Sequence, residues 1–470
     1  MDEGQSALLD IEEHHIDIIP DDERHGRVWH QFTLWLGGNT NVFNVVLGGV
    51  VVSFGLSFWW ALIAIIVGTG IGALLIALHA TQGPKLGVPQ MLQSRGQFGF
   101  YGSSFLFLAV FLLNFGFIAA QFVIQAQSFN YVVSGISIPA WILILAVPAI
   151  VIGIYGYKWV HRAAQVTAVV VGITIVVMFI QALAFSSLPH SETSWSPPTL
   201  GLFVAGVALL VIDMLSFGPF VSDYSRYLPK NVKSTRVFSS IYFGNIIATV
   251  AACAVGAYMA ALLPKDSSIQ AIGKISGSWA LVIMGLSLVN ADTFNAYTGA
   301  FQILSLGNMF RKLKQSAWLR IWPFLFTMAV GVVVALLGYK SFVNNLSNFL
   351  DVLLVIFIPW SAVNLTDYFL IRHADYDVPS FLRPDGIYGK FAWRGLLAYA
   401  IGLGIEFPFV SQTYYTGPFV KDLGGADISW LVGFFVAAGC YLLLNRLAPI
   451  STTEVPVSAS VSGAAPETSG

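Results

Sequence analysis

Long apolar runs recur along the chain, at about 31–53, 56–80, 103–133, 138–156, 163–187, 200–222, 237–263, 278–305, 319–338, 342–370, 395–411 and 429–447. A helical crossing of a bilayer needs about 20 apolar residues, so each run predicts one membrane-spanning helix and the total is twelve. Runs such as ALIAIIVGTGIGALLIAL are uninterrupted, whereas a membrane barrel reads as alternating segments of about ten residues. An all-α membrane protein follows. The eleventh run is the shortest and contains Glu406 and Pro408, so its ends are soft.

Composition points the same way. The 470 residues are 56% hydrophobic and 10% charged, and a soluble globular chain carries about a quarter charged residues. With the N-terminus placed inside, nineteen of the 23 Lys and Arg residues fall on the inner side and only Lys265, Lys274, Lys340 and Lys421 on the outer. This bias predicts both ends in the cytoplasm of a plasma-membrane protein. Net charge of −1 argues against a nucleic-acid partner, and Cys253 and Cys440, both in apolar runs, give no disulfide framework. Residues 1–28 hold nine acids and read as a solvated tail; 448–470 are small and polar and predict a second, disordered one.

Lipid-facing helix needs no polar side chains, so polar groups and helix breakers at membrane depth carry the functional information. Span one contains Gly37-Gly38-Asn39-Thr40-Asn41 and span six contains Ser216-Phe217-Gly218-Pro219. Breaks in the first and sixth of twelve spans are the mark of an inverted-repeat transporter, with substrate and ion bound where the paired helices unwind. Simple packing kinks are the alternative for either break taken singly. The expected division is 29–187 for one five-helix repeat, 188–372 for the second and 373–447 for two peripheral helices.

Span three carries Asn114, Gln121, Gln125 and Ser128 along one helical stripe. Span eight reads NADTFNAYTG, where Asp292 and Asn295 lie within about 60° of each other and Asn290, Thr293 and Tyr297 share a different face. Interhelical hydrogen bonding accounts for such residues as readily as ligand contact does. Asp213, Asp292, Asp351 and Glu406 lie within predicted spans with no Lys or Arg beside them. A lone carboxylate there must meet water, bind a cation or hold a proton, and each suits cation coupling. Asp223 and Arg226, at i, i+3, read as a structural or gating pair. His79 and His161 sit at the inner rim without ligand-like companions.

Five stretches carry a resemblance: GPKLGVPQMLQSRGQFGFYGS, SFGPFVSDYSRYLP, NADTFNAYTGAFQILSLG, IPWSAVNLTDYFLIR and FPFVSQTYYTGPFVKDLGGADISWLVG. In order and spacing they resemble the purine-cytosine permease branch of the nucleobase:cation symporter 1 family. The resemblance implies a leucine-transporter-like fold of two inverted five-helix repeats, with broken helices 1 and 6, plus two peripheral helices. It also implies a small-molecule heterocycle as substrate, a coupling cation, a lipid bilayer as surroundings and no cofactor. Carried over by motif, Phe217 is the span-six aromatic, Gln125 the span-three amide and Asn295 the span-eight amide. Gln121 stands where many relatives have a tryptophan, so a stacking face is absent or comes from Phe117 or Phe122. Gly38 and Asn39, at the first break, complete the expected substrate contacts.

Sodium-coupled members resemble a site of span-one carbonyls and span-eight hydroxyls, yet Val289 and Asn290 occupy the span-eight positions here. The expectation is therefore proton before sodium, with Asp292 the first carrier, Asp213 the second, and Asn290 and Thr293 beside them. The expected function is secondary import of a nucleobase-type heterocycle by symport, with an allantoin-like ureide or heterocyclic vitamin as the alternative cargo. A channel would be lined along its whole length, whereas these polar residues cluster near mid-membrane. A nontransporting receptor also fits the residues. HExxH, CxxC, GxSxG and GxxxxGK[ST] are all missing, which leaves no motif for an enzyme or an ATP-driven pump.

Overall fold

The computed structural model describes residues 18–24, 26–155, 157–310 and 317–448, with backbone alone for 155, 157–166 and 317–320. Its labelled helices are α1 (Val28–Asn39), α2 (Val42–Ser53), α3 (Phe58–Ala80), α4 (Ser104–Val132), α5 (Ile138–Tyr155), α6 (Tyr157–Phe185), α7 (Leu200–Leu215) and α8 (Val221–Ser225). There follow α9 (Ser234–Leu262), α10 (Ser268–Ser276), α11 (Ser278–Phe310), α12 (Ala317–Gly338), α13 (Phe342–Thr366), α14 (Trp393–Glu406) and α15 (Ser429–Leu447). Each of the twelve apolar runs is occupied by one helix or, for the first and sixth, by a pair. Among the described residues, seven helical stretches are by themselves long and apolar enough to cross a bilayer, and α1 with α2 forms a further, bent crossing. One stretch, Ile321–Ile371, has 51 residues, about 76 Å at 1.5 Å per residue and too long for one crossing. The 3-10 turn Tyr339–Ser341, with Ser341 at φ −119° and ψ 46°, divides it into spans nine and ten.

The two breaks differ. Between α1 and α2 the axis bends by 59°. Leu200–Ser225 instead continues as one 26-residue span, unwound locally by a turn at Ser216–Phe217 and the 3-10 segment Gly218–Phe220. Pro219 has no N–H to give there.

Packing shows the repeat. Span one packs on span seven as span six packs on span two, and span three on nine as span eight on four. Span one touches five as span six touches ten, while two pairs with seven and three with eight. Exchanging each span with the one five places along maps these contacts onto one another. At the 1–7 contact a Cβ on Gly48 would lie 1.9 Å from Cys253 O, and one on Gly256 1.7 Å from Val45 O. Only glycine allows backbones that close. The α14–α15 hairpin lies outside this exchange and packs on α13.

Three segments depart from the sequence reading. The acidic tail is not solvated throughout: Ile19 is fully buried, its N–H donates to Gly87 O at 3.0 Å, and Arg24 bonds Ile19 O and Pro84 O. The Ile18-Ile19 pair gives this stretch something to bury, and residues 1–17 lie outside the described part. A short helix not foreseen, α10, is started by a capping box of Ser267 and Gln270 and buries Ile269 and Ile272. The connection after α3 holds three short helical turns, Gln82–Leu86, Gln90–Gln93 and Arg95–Phe98, almost wholly buried.

Candidate functional site

The stripe on α4 meets the polar face of α11 as three rungs. Gln125 Nε2 donates to Asp292 Oδ2 at 2.5 Å, Asn295 Nδ2 donates to Gln121 Oε1 at 3.3 Å, and the Thr298 hydroxyl donates to Asn114 Oδ1. As the α4 numbers fall the α11 numbers rise, so the two spans run antiparallel. Helical periodicity alone places Asp292, Asn295 and Thr298 three residues apart on one face. Asn114, Gln125 and Asp292 are fully buried, whereas Asn295 and Thr298 are half-buried. Gln125 Oε1 and Asp292 Oδ1 are buried without a hydrogen-bond partner. The upper two rungs thus hold an acid, three amides and two unused acceptors.

At the first break the freed backbone is satisfied by the side chains that follow it. Asn41 Nδ2 donates to Gly38 O and Asn44 Nδ2 to Asn39 O, each at 2.8 Å, while Asn41 Oδ1 caps α2 at Asn44 N. Phe217, at the second break, is half-buried and meets Trp35 edge-on at 5.4 Å. Trp35 in turn touches Tyr224, which stacks at 6.0 Å on Phe294, the neighbour of Asn295. A second aromatic group joins Phe43, Phe117 and Phe349 at 5.5 and 5.6 Å. Rings therefore flank the breaks on both sides.

Not all the expected site residues converge. Gln121, Gln125, Asp292 and Asn295 stand together. Asn39 faces away, donating to Trp35 O at 3.0 Å and Asn245 Oδ1 of α9 at 2.7 Å, and Gly38 points into open space. Thr293 turns to α5, with its hydroxyl 3.1 Å from Ala149 O and 2.9 Å from Val289 O. The two polar faces of span eight thus go to two neighbouring helices. Asn290 keeps a buried, unpaired Oδ1. Asp213 is buried in α7, within electrostatic range of Cys253 on α9. Phe122 packs in the α4–α5–α12 cluster, so of the two candidate rings only Phe117 stands near the first break.

Residues 18–433 match the family model described as "Permease for cytosine/purines, uracil, thiamine, allantoin". The chain belongs to this permease family. It is 32% identical to the "Putative purine-cytosine permease YxlA" of Bacillus subtilis (strain 168), over 93% of this chain and 96% of that one. It is 25% identical to the purine-cytosine permease fcyB of Emericella nidulans, over 94% and 89% of the two chains. The structure of Mhp1, a nucleobase-cation-symport-1 family transporter in a closed conformation with bromovinylhydantoin bound, aligns with a TM-score of 0.73. Identity there is 17%, covering 94% of this chain and 98% of that one. The fold is therefore leucine-transporter-like, and the relatives are permeases, as the missing enzyme motifs lead one to expect.

A second polar assembly in this permease joins the end of α3, the connection that follows it and the end of α13, and was not legible as a unit. His79, read from sequence as an inner-rim residue without ligand-like companions, is fully buried and stacks on Trp360 at 4.7 Å. Its Nδ1 faces the Gln90 amide at 3.4 Å, so Nδ1 accepts and Nε2–H is left to donate to Ser361 Oγ at 2.8 Å. From there side chains link in series: Gln90 to Gln82 Oε1 at 3.2 Å, Gln82 to Asn364 Oδ1 at 2.8 Å, Asn364 to Gln97 Oε1 at 3.1 Å and Gln97 to Asp367 Oδ2 at 2.7 Å. Asp367, in a π-helical turn ending span ten, also takes Tyr376, Tyr441 and Arg372. Asp223 joins through Gln90 N at 2.9 Å, and Arg226 Nε donates to the Asp223 carbonyl. Nearby in the same connection Arg95 bonds Phe381 O at 2.7 Å, and burial pulls its pKa down to about 10. The signal was present as four glutamines between 82 and 97 in a connection with only two charges.

This network ties spans two, six, ten and twelve, so its centre should matter for stability. Asn364→Leu leaves the Gln82 side-chain N–H and Gln97 Oε1 each without its Asn364 partner, at about 1–3 kcal/mol apiece. A melt of the purified protein should show a midpoint lower by several degrees. An unchanged midpoint would mean the links carry no net energy.

Proposed function

We propose that this permease imports a planar nucleobase-type heterocycle together with a proton, by alternating access around the α4–α11 rungs and the two breaks. The observation that carries the reading is Asp292: a buried acid whose recorded partner is an uncharged amide, one helical turn from a pair of amides. A proton neutralises it without any new ligand. One proton entering down 100 mV supplies about 2.3 kcal/mol, enough for roughly fifty-fold accumulation. A sodium ion finds less: the Thr293 hydroxyl is engaged by α5, and the Gly38 and Asn39 carbonyls each already accept from an asparagine. Asp213 is the second candidate carrier.

For the cargo, Phe217 offers an aromatic face, worth about 1–3 kcal/mol for a stacked ring. The 3.3 Å Asn295–Gln121 contact is long for a hydrogen bond. A ring edge with adjacent donor and acceptor can replace it at little cost, and such an edge is common to cytosine, purines and lactam heterocycles. Gln121 in place of a second stacking ring favours a cargo with more polar edge and less ring area, so ureides and heterocyclic vitamins stay in the same proposal. The repeats at 29–187 and 188–372, the peripheral pair at 373–447, the cytoplasmic ends and the plasma-membrane location belong to it as well.

Uptake of labelled cytosine and adenine into proteoliposomes tests both halves. Accumulation should follow an imposed pH gradient and persist without sodium. Accumulation that needs a sodium gradient would overturn the proton, and uptake without counterflow would indicate a channel in place of a carrier.

A further inference from the structure

We propose that Gly244 and Asn245, neighbours on α9, are positioning residues for the aromatic face of the site: they seat Trp35 of α1, and Trp35 backs Phe217. Their role presupposes the heterocycle reading just given, in which Phe217 stacks on the cargo. Asn245 is fully buried within span seven, and its own amide settles which way it points. Nδ2 donates to Ile241 O at 2.7 Å, one turn back in α9, which leaves Oδ1 to accept Asn39 Nδ2 at 2.7 Å. Asn39 is the last residue of α1 and also donates to Trp35 O at 3.0 Å, so both its amide hydrogens are spent. Its main-chain carbonyl takes Asn44 Nδ2 of α2 at 2.8 Å. One side chain of α9 thus fixes the last turn of α1 where the helix breaks.

Gly244 acts on the same turn by lacking a side chain. A Cβ there would lie 2.8 Å from Phe32 O and 3.4 Å from Trp35 Cβ. A helical carbonyl cannot rotate away, so any side chain at 244 would push α1 off α9. Trp35 needs this seat because its own Nε1 is buried without an acceptor. Packing and the main chain beneath it are what hold the indole.

The indole meets Phe217 edge-on, with centroids 5.4 Å and planes 75° apart, inside the 4.5–7 Å range in which aromatic pairs attract. Phe217 is half-buried at the second break, and among the described residues no other ring pairs with it. A shift of α1 on α9 therefore reaches the cargo through Trp35 and then Phe217. Asn39, polar and at the first break, is by the same bonds a strut between helices.

Equilibrium dialysis of tritiated cytosine and adenine against the full-length protein in nanodiscs tests this, with a melt of each variant alongside. Asn245→Leu, similar in bulk but without an acceptor, and Gly244→Ala should each weaken the tighter-binding base at least about fivefold, the lower end of what one stacked ring contributes. Asn245→Asp keeps an acceptor for Asn39 and should recover most of the affinity. Ser240→Ala removes a different α1–α9 link, Ser240 Oγ to Val28 O at 2.7 Å, about two turns from Trp35. It should lower the melting midpoint and leave affinity unchanged. A cycle with Phe217→Ala decides the route. Once that ring is gone, Asn245→Leu should cost less than about twofold, whereas a general loss of packing would add its full effect. Gly244→Ala takes its place in the cycle should Asn245→Leu not fold. Full additivity overturns the positioning role, and so does wild-type affinity in both α9 variants; weak binding by Phe217→Ala then leaves the heterocycle reading standing. Wild-type affinity in Phe217→Ala overturns the aromatic face and this role with it. No binding of either base to the wild-type protein overturns both.

Discussion

Asp292→Asn is expected to yield a permease that still exchanges bound heterocycle across the membrane but no longer concentrates it. Asparagine keeps the size of the side chain and an oxygen for Gln125 Nε2, so the rung at 2.5 Å can persist and the binding surface with it. What disappears is the only titratable group on the rungs. Without it the roughly fifty-fold accumulation available from one charge per 100 mV should fall to about one-fold, while counterflow continues. Proteoliposomes loaded with unlabelled base separate the two: counterflow near wild type, gradient-driven uptake near background. If the variant accumulates base and a protonophore collapses that accumulation as in wild type, the proton rides elsewhere, and Asp213→Asn becomes the variant to examine.

How far the sequence reached depends on the range of the physics involved. Spans were legible because a bilayer demands long apolar helices whatever the tertiary contacts. The first break was legible in Gly37-Gly38 and in the asparagines that satisfy it, since those bonds are local. The pairing of span three with span eight was half legible. Periodicity put Asp292 and Asn295 on one face and the amides of α4 on another, but that these two faces meet is a contact over more than 160 residues of chain. The partners of Asn39 and Thr293 were not legible for the same reason. Each is polar at membrane depth, and each is claimed by a neighbour, α9 or α5, that no local pattern names. The second polar network escaped because its glutamines are uncharged amides in a connection, where solvation is the default expectation. Ile19 escaped because two apolar residues within an acidic tail are too few to outweigh composition.

The second large effect should come from the amide pair. Removing Asn295 as Asn295→Ala takes one hydrogen-bonding partner from the cargo and leaves Gln121 without its own, a loss of about 1–3 kcal/mol, or roughly five- to 150-fold in affinity. Gln121→Ala should cost a similar amount. On the proposed reading both amides grip one ring edge, so the double variant should lose less than the sum, with a coupling of about 0.5–3 kcal/mol. Asn114→Ala, one rung further along and bonded to Thr298, belongs to the same stripe but not to the pair, so its effect should add independently with either. Dialysis with the tightest-binding base gives all the constants. Strict additivity between Gln121 and Asn295 would mean that the two amides do not share a ligand, and that the 3.3 Å contact is simply a link between helices.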